Sequence, residues 1–196
     1  DHEVSKEVEK NFKKSGIKIT KGVKVSKIQS MKQNAKVYLE KKADDEIIKA
    51  EKVLLAVGVT GNINNLGLED LGIETEAGAI KTDNFNRTNI ENIYAIGDVC
   101  GPPWLAHVAS AQGHLAAEHS AGLNVNPIDY SNIPGCTYCQ PQVGSLGMTE
   151  EQALSSGFKV KVGRFSFQAS GKAMAIGNTV GFVKLIFDEK YGELLG

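Results

Sequence analysis

The sequence predicts an α/β protein, and three observations carry that expectation. Two continuous apolar runs, Val53-Leu54-Leu55-Ala56-Val57 and Ile93-Tyr94-Ala95-Ile96, each end at a glycine, Gly58 and Gly97. Such runs suit strands covered on both faces, as in a parallel sheet. Ahead of the first run lie short segments that alternate polar and apolar residues, the pattern of an antiparallel meander with one wet face. Behind the second run, Gly97-Asp98 leads through a short loop into an alanine-rich helical segment. Strand, loop and helix in that order make an α/β unit.

Each element follows from local chemistry. Residues 3–15 read as a helix, because Val4, Val8 and Phe12 recur at i, i+4 and i+8 among Lys and Glu. Ser15-Gly16 stops it, since glycine accepts the left-handed C′ conformation. Ile17 and Ile19 alternate as a strand would. The meander then takes residues 22–30, 35–40 and 46–50, broken at Lys32-Gln33-Asn34 and at Ala43-Asp44-Asp45. Between the two apolar runs, residues 59–88 read as loop, with a helical turn near 66–71 and a short strand near 79–82. A helix over about 105–121 closes at Gly122. Strands are expected near 135–140 and 143–148, a helix over 149–156, then strands near 158–167 and 180–187. Thr149 followed by Gln152 has the spacing of a capping box. Pro127 marks a boundary between domains.

Composition narrows the function. The 196 residues carry 22 Lys+Arg and 23 Asp+Glu, so charge steering toward nucleic acid or an anionic membrane is not expected. No stretch approaches twenty apolar residues, so no membrane partner is expected either. Three cysteines give no disulfide framework, which suits a reducing compartment. The even balance hides a division: residues 1–52 carry a net +5 and residues 53–196 a net −6. No Lys or Arg occurs between Arg87 and Lys159. A buried core explains such a gap, and so does a surface turned toward a ligand or another subunit, where Lys is depleted.

The sharpest chemical signal is Gly97-Asp98. In an open α/β sheet, ligands bind beyond the carboxyl ends of the strands. A carboxylate there accepts hydrogen bonds from ligand hydroxyls, and a glycine lets the ligand approach the main chain. The helix that follows offers free N–H groups and a positive dipole end. Cys136 and Cys139 read as structural, because side chains three apart on a strand point to opposite faces. Cys100 reads as a packing residue. His107 and His114 share a helix face and His119 lies off it, a spacing that matches no metal motif. No metal site is expected.

Residues 88–99, Thr88-Asn89-Ile90-Glu91-Asn92-Ile93-Tyr94-Ala95-Ile96-Gly97-Asp98-Val99, with Leu105-Ala106-His107 after them, resemble the second FAD motif of the flavoprotein disulfide reductases. The Leu-Ala-His triplet, and Ile133-Pro134-Gly135-Cys136-Thr137-Tyr138 with Pro141, look most like the dihydrolipoyl dehydrogenase branch. The resemblance implies parts of FAD- and NAD-binding Rossmann-like domains, a parallel sheet plus the meander, followed by the start of an α+β dimerisation domain. It assigns residues 1–79 to the NAD domain, 80–127 to the returning segment of the FAD domain and 128–196 to the interface domain.

By the same resemblance, Asp98 would hydrogen-bond flavin hydroxyls, with Gly97 opening the approach. Trp104, Leu105, Ala106 and His107 would lie beside the isoalloxazine and its chain. Gly58 would contact the nicotinamide nucleotide and Val25 its adenine side. Three positions depart from the family pattern: Val59-Thr60-Gly61 stands where Arg-x-Pro is frequent, Gln112 where Glu is frequent, and Gln140 where Glu or His is frequent.

The implied parent protein oxidises dihydrolipoamide with NAD as acceptor through FAD and a redox disulfide. It works as a homodimer on the lipoyl group of a 2-oxo acid dehydrogenase complex or the glycine cleavage system, in bacterial cytoplasm or a mitochondrial matrix. The redox Cys-x4-Cys and the His-Glu base of the family are not in this sequence, so no catalytic residue is expected in it. It reads as an internal stretch, inactive alone. Two alternatives stay open: a reductase of the mercuric or glutathione type, and a non-catalytic cofactor-binding or dimerisation module.

Overall fold

A computed structural model describes residues 1–40 and 46–196. The expected break at Ala43-Asp44-Asp45 lies outside the described residues. In chain order the elements are α1 (His2–Lys14), β1 (Lys24–Ser30), β2 (Ala35–Glu40), β3 (Glu46–Ala50), β4 (Thr75–Glu76) and β5 (Ala79–Ile80). There follow α2 (Ala106–Ser120), β6 (Gly135–Thr137), β7 (Val143–Ser145), α3 (Glu150–Ser155), β8 (Val160–Ser166), α4 (Gly171–Ala175) and β9 (Phe182–Asp188). The chain divides into two compact units, Asp1–Leu55 with Pro134–Gly196, and Ala56–Ile133.

The first unit rests on antiparallel ladders. Its meander has the order β1-β2-β3, with Val37 opposite Ile28 on one side and Ile48 on the other. The central strand β2 is the better covered, and Leu39 is buried. β1 and most of β3 are exposed. β8 and β9 pair along seven residues, from Val160–Asp188 to Ser166–Phe182. Asp1 caps α1 by accepting from the Glu3 backbone N–H at 2.8 Å. The capping box forms as expected: Gln152 N–H donates to Thr149 Oγ1 at 3.2 Å, and Thr149 N–H donates to Gln152 Oε1 at 2.8 Å.

An ion network joins α1 to the β8–β9 pair. The Lys184 side chain, 7% exposed, reaches Asp1 at 2.9 Å, Glu3 at 2.7 Å and Glu150 at 2.6 Å. Arg164 donates to both Glu3 carboxylate oxygens, at 2.8 and 2.6 Å. Arg164 first, then Lys184, hold the Glu3 carboxyl down at about 2.

The second unit is built mainly from turns. Its core is Ile73, Ile80 and Ala95, with Ile63, Leu68, Ile90, Ile93, Val99 and Cys100 packed against it. β4 and β5 pair over two residues. Asn86, buried at φ +63°, donates from its side chain to Ala95 O at 3.2 Å, while Ala95 N–H donates to Asn86 O at 3.0 Å. Thr88 Oγ1 donates to Ile93 O at 2.9 Å and accepts from Ile90 N–H at 3.1 Å.

Both apolar runs depart from expectation. Residues 53–57 form no strand, and Leu54 and Val57 are each 90% exposed. A run of apolar residues marks a stretch that suits two covered faces, but hydrogen-bonded neighbours make the strand. None pairs with it among the described residues, where every ladder is antiparallel. Residues 93–96 hold one bridge, Arg87 to Tyr94, and Ile17 and Ile19 none.

Candidate functional site

The site grows from the end of the second apolar run. Gly97–Cys100 forms a 3-10 turn, with Gly97 at φ +73° and Gly101 N–H closing on Asp98 O at 3.2 Å. A positive φ favours glycine. This turn follows Ala95, buried in the core of the second unit, and leaves Asp98 exposed. Its carboxylate is therefore available to a ligand.

Helix α2 lies beneath the turn. A Cβ on Gly97 would meet Ala109 Cβ at 3.3 Å, and one on Gly113 would meet Ile96 Cδ1 at 3.3 Å. Small residues on α2 thus let the main chain lie close to the helix. Gln112, 6% exposed, completes the contact: Gly97 N–H donates to its Oε1 at 2.7 Å, and its Nε2 donates to the Tyr130 hydroxyl at 2.8 Å. Leu105 is the N-cap residue, and no side chain caps the first turn among the described residues.

A second loop closes on the turn from the other side. A Cβ on Gly61 would stand 2.7 Å from Asp98 O and 3.0 Å from Val99 Cα, so only glycine fits without a shift of main chain. A cavity of about 500 Å³ opens here, lined in part by Thr60, Gly61, Cys100, Gly101, Pro102 and Trp104. Burial pushes the Cys100 thiol up to about 11, against a weaker downward pull from Asn86. Cys100 is therefore a protonated packing residue rather than a nucleophile.

The structure brings together part of the predicted set. Gly97, Asp98, Trp104, Leu105, Ala106 and His107 follow one another through the turn and into the first turn of α2. Gly58, exposed at φ +120°, sits after the unpaired run. Val25 belongs to the first unit, on β1, where it pairs with Leu39 of β2 and is 50% exposed. His119 has a different role from a ligand: it stacks on Phe85 at 4.6 Å and hydrogen-bonds the Tyr94 hydroxyl at 2.8 Å. No group of three or more His, Cys, Asp or Glu is placed to hold a metal among the described residues.

The sequence profile described as pyridine nucleotide-disulphide oxidoreductase matches residues 1–113. The chain belongs to that family. The dimerisation domain of pyridine nucleotide-disulphide oxidoreductases matches residues 133–196. Two relatives named dihydrolipoyl dehydrogenase, from Rhizobium etli and Mycobacterium leprae, are each 48% identical across all of this chain. The chain spans 41% and 42% of their lengths. Among solved structures, the HOCl-induced flavoprotein disulfide reductase RclA from Escherichia coli aligns with all of the chain at 24% identity and TM-score 0.89, over 44% of its own length. LpdA from Mycobacterium tuberculosis aligns with 96% of the chain at 24% identity and TM-score 0.86, over 40% of its own length. These two likenesses concern the fold, a mixed α/β architecture of this oxidoreductase family. No helix among the described residues is long and apolar enough to cross a membrane.

Tyr130 is a residue of this site that sequence reasoning does not single out, and Gly61 enters there only within the departure Val59-Thr60-Gly61, without its contact to Asp98. Gln112 enters there as a departure from the family pattern, without its partners. Its signal is a polar residue among Val108, Leu115 and Ala116 on the buried stripe of α2.

Proposed function

We propose that the complete protein is a dihydrolipoyl dehydrogenase, oxidising dihydrolipoamide to lipoamide with NAD as acceptor through FAD and a redox disulfide. The supporting observation is the 48% identity to relatives of that name along the whole chain, which includes the exposed Asp98 turn. Residues 1–79 then belong to the NAD domain, 80–127 to the FAD domain and 128–196 to the dimerisation domain. The redox disulfide, the catalytic base and the neighbours of residues 53–57 lie in the remainder of the polypeptide. These 196 residues are inactive alone. The complete protein is a homodimer, paired through residues 128–196, that serves the lipoyl group of a 2-oxo acid dehydrogenase complex or the glycine cleavage system. It works in bacterial cytoplasm or a mitochondrial matrix.

The residues present fit a flavin. FAD, when bound, supplies two-electron transfer between the dithiol and the nicotinamide. Asp98 would accept hydrogen bonds from the flavin's hydroxyls, and Gly97 and Gly61 allow the close main-chain approach of the turn. Residues 104–107 would hold the ring system and its chain. The family resemblance assigns Gly58 to a nicotinamide nucleotide contact and Val25, in the first unit, to an adenine contact, which each would make with NAD bound. The stretch without Lys or Arg, from Arg87 to Lys159, faces flavin and partner subunit.

Lipoamide-dependent NADH turnover by the complete protein tests the reaction; turnover with glutathione disulfide or mercuric ion instead would overturn it. For the site, Asp98→Ala removes a charge-assisted hydrogen bond worth roughly 1.5–3 kcal/mol. Flavin affinity then falls by about tenfold or more. Unchanged flavin content in the purified variant would remove Asp98 from the site.

A further inference from the structure

We propose that Gln112 is the positioning residue of the flavin turn, and that its side-chain amide fixes the Gly97 main chain and thereby aims the Asp98 carboxylate. This rests on the reading of Gly97–Cys100 as the turn that holds FAD. A polar side chain on a buried helical stripe costs stability unless both of its ends are bonded. Gln112 is 6% exposed and both ends are bonded, across 15 residues to Gly97 and across 18 to Tyr130.

The chemistry fixes which way the amide points. Gly97 N–H can only donate, so the carbonyl oxygen of Gln112 must face it and the NH₂ must face Tyr130. That leaves the Tyr130 oxygen as acceptor and its own proton directed elsewhere. The amide cannot flip without setting two donors against each other at Gly97. Ala109, three residues before Gln112, lies 3.3 Å from where a Cβ on Gly97 would stand, and a Cβ on Gly113 would meet Ile96 Cδ1 at 3.3 Å. Small neighbours let the turn approach; the amide decides the height and angle at which it stops. Asp98 is the next residue, so a shift at Gly97 redirects its carboxylate.

The test compares Gln112→Met with Gln112→Glu in the complete protein, reading FAD affinity from flavin fluorescence on release and rebinding. Methionine fills nearly the same volume but offers Gly97 no acceptor of comparable strength. A glutamate oxygen accepts the same N–H in either protonation state. The Met variant should bind FAD about tenfold or more weakly, the consequence of an unpaired buried donor. The Glu variant should stay within about threefold of wild type. A Met variant that binds FAD like wild type overturns the proposal, and so does a Glu variant as weak as Met.

Hydrogen exchange of the Gly97 amide in the wild-type protein covers the case in which the Met variant fails to fold. That amide should be strongly protected, and fast exchange overturns the proposal. A wild type that binds no FAD overturns the flavin reading and this inference together. A flavin-binding wild type with an indifferent Met variant overturns this inference alone.

Discussion

The two units of the chain are held by different means. In the first, backbone ladders set the main chain, seven paired residues in β8–β9 and three strands in the meander. In the second, among the described residues, the one named strand pair covers two residues. Side chains there hold the main chain instead, through Asn86, Thr88, Gln112 and Asn89, whose amide bonds Gly72 O at 2.8 Å and Glu74 N–H at 2.9 Å. A ladder divides its stability among many equal bonds. A clamp places it on one residue, so the candidate site stands on the more vulnerable construction.

The largest test of that contrast is Asn86→Ala in the complete protein. It removes the hydrogen bond to Ala95 O and asks alanine to adopt φ +63°. Together these cost about 2–4 kcal/mol. Hydrogen exchange should quicken around residues 83–100 while the β1–β3 amides keep their protection. Loss of protection in both places would end the distinction between the units.

Gly61→Ala comes next. Its new Cβ meets main chain at Asp98 and Val99, which no rotamer relieves, at a cost of about 1–3 kcal/mol. Flavin retention should fall with little change in β8–β9. Equal loss in both units would show that the loop serves stability in general.

The smallest effect belongs to the ion network. Arg164→Gln with Lys184→Met removes two cationic partners of Glu3, one on the surface and one with its side chain 7% exposed. The sign follows from Glu3 being held below its ordinary value, at about 2 against 4.5. Its contribution is present above about pH 4.5 and disappears as pH falls toward 2. Carboxyl NMR should find Glu3 titrating near 2 in the wild type and near its ordinary value in the double variant. An unchanged titration would show that the network does not set it.

The same contrast explains what could be read in advance. Helix α1, the three meander strands and the Thr149 capping box depend on contacts between near neighbours in sequence, and their patterns announce them. The runs at 53–57 and 93–96 carry the right residues for strands, but pairing partners are a property of topology. The five-residue helix α4 is too short for periodicity to mark, and begins at a Ser170 cap. At the site, Gly97 and Asp98 are legible because each residue type announces its local use. Gly61 and Tyr130 are not, since their roles arise from contacts made 37 and 18 residues away, at Asp98 and Gln112. Gln112 could be suspected from its place on an apolar stripe, but not assigned a partner.

The exposed run at residues 53–57 has a practical consequence. It holds five apolar residues with no charge and no proline, and among the described residues its main chain is taken up in no ladder. Such a segment offers a template to any extended chain that meets it. Leu54 and Val57, each 90% exposed, are its most open points, however well the ladders elsewhere are formed. A charged flanking residue at 53 or 57 would suppress that association, at the expense of a strand interior wherever the segment is covered on both faces.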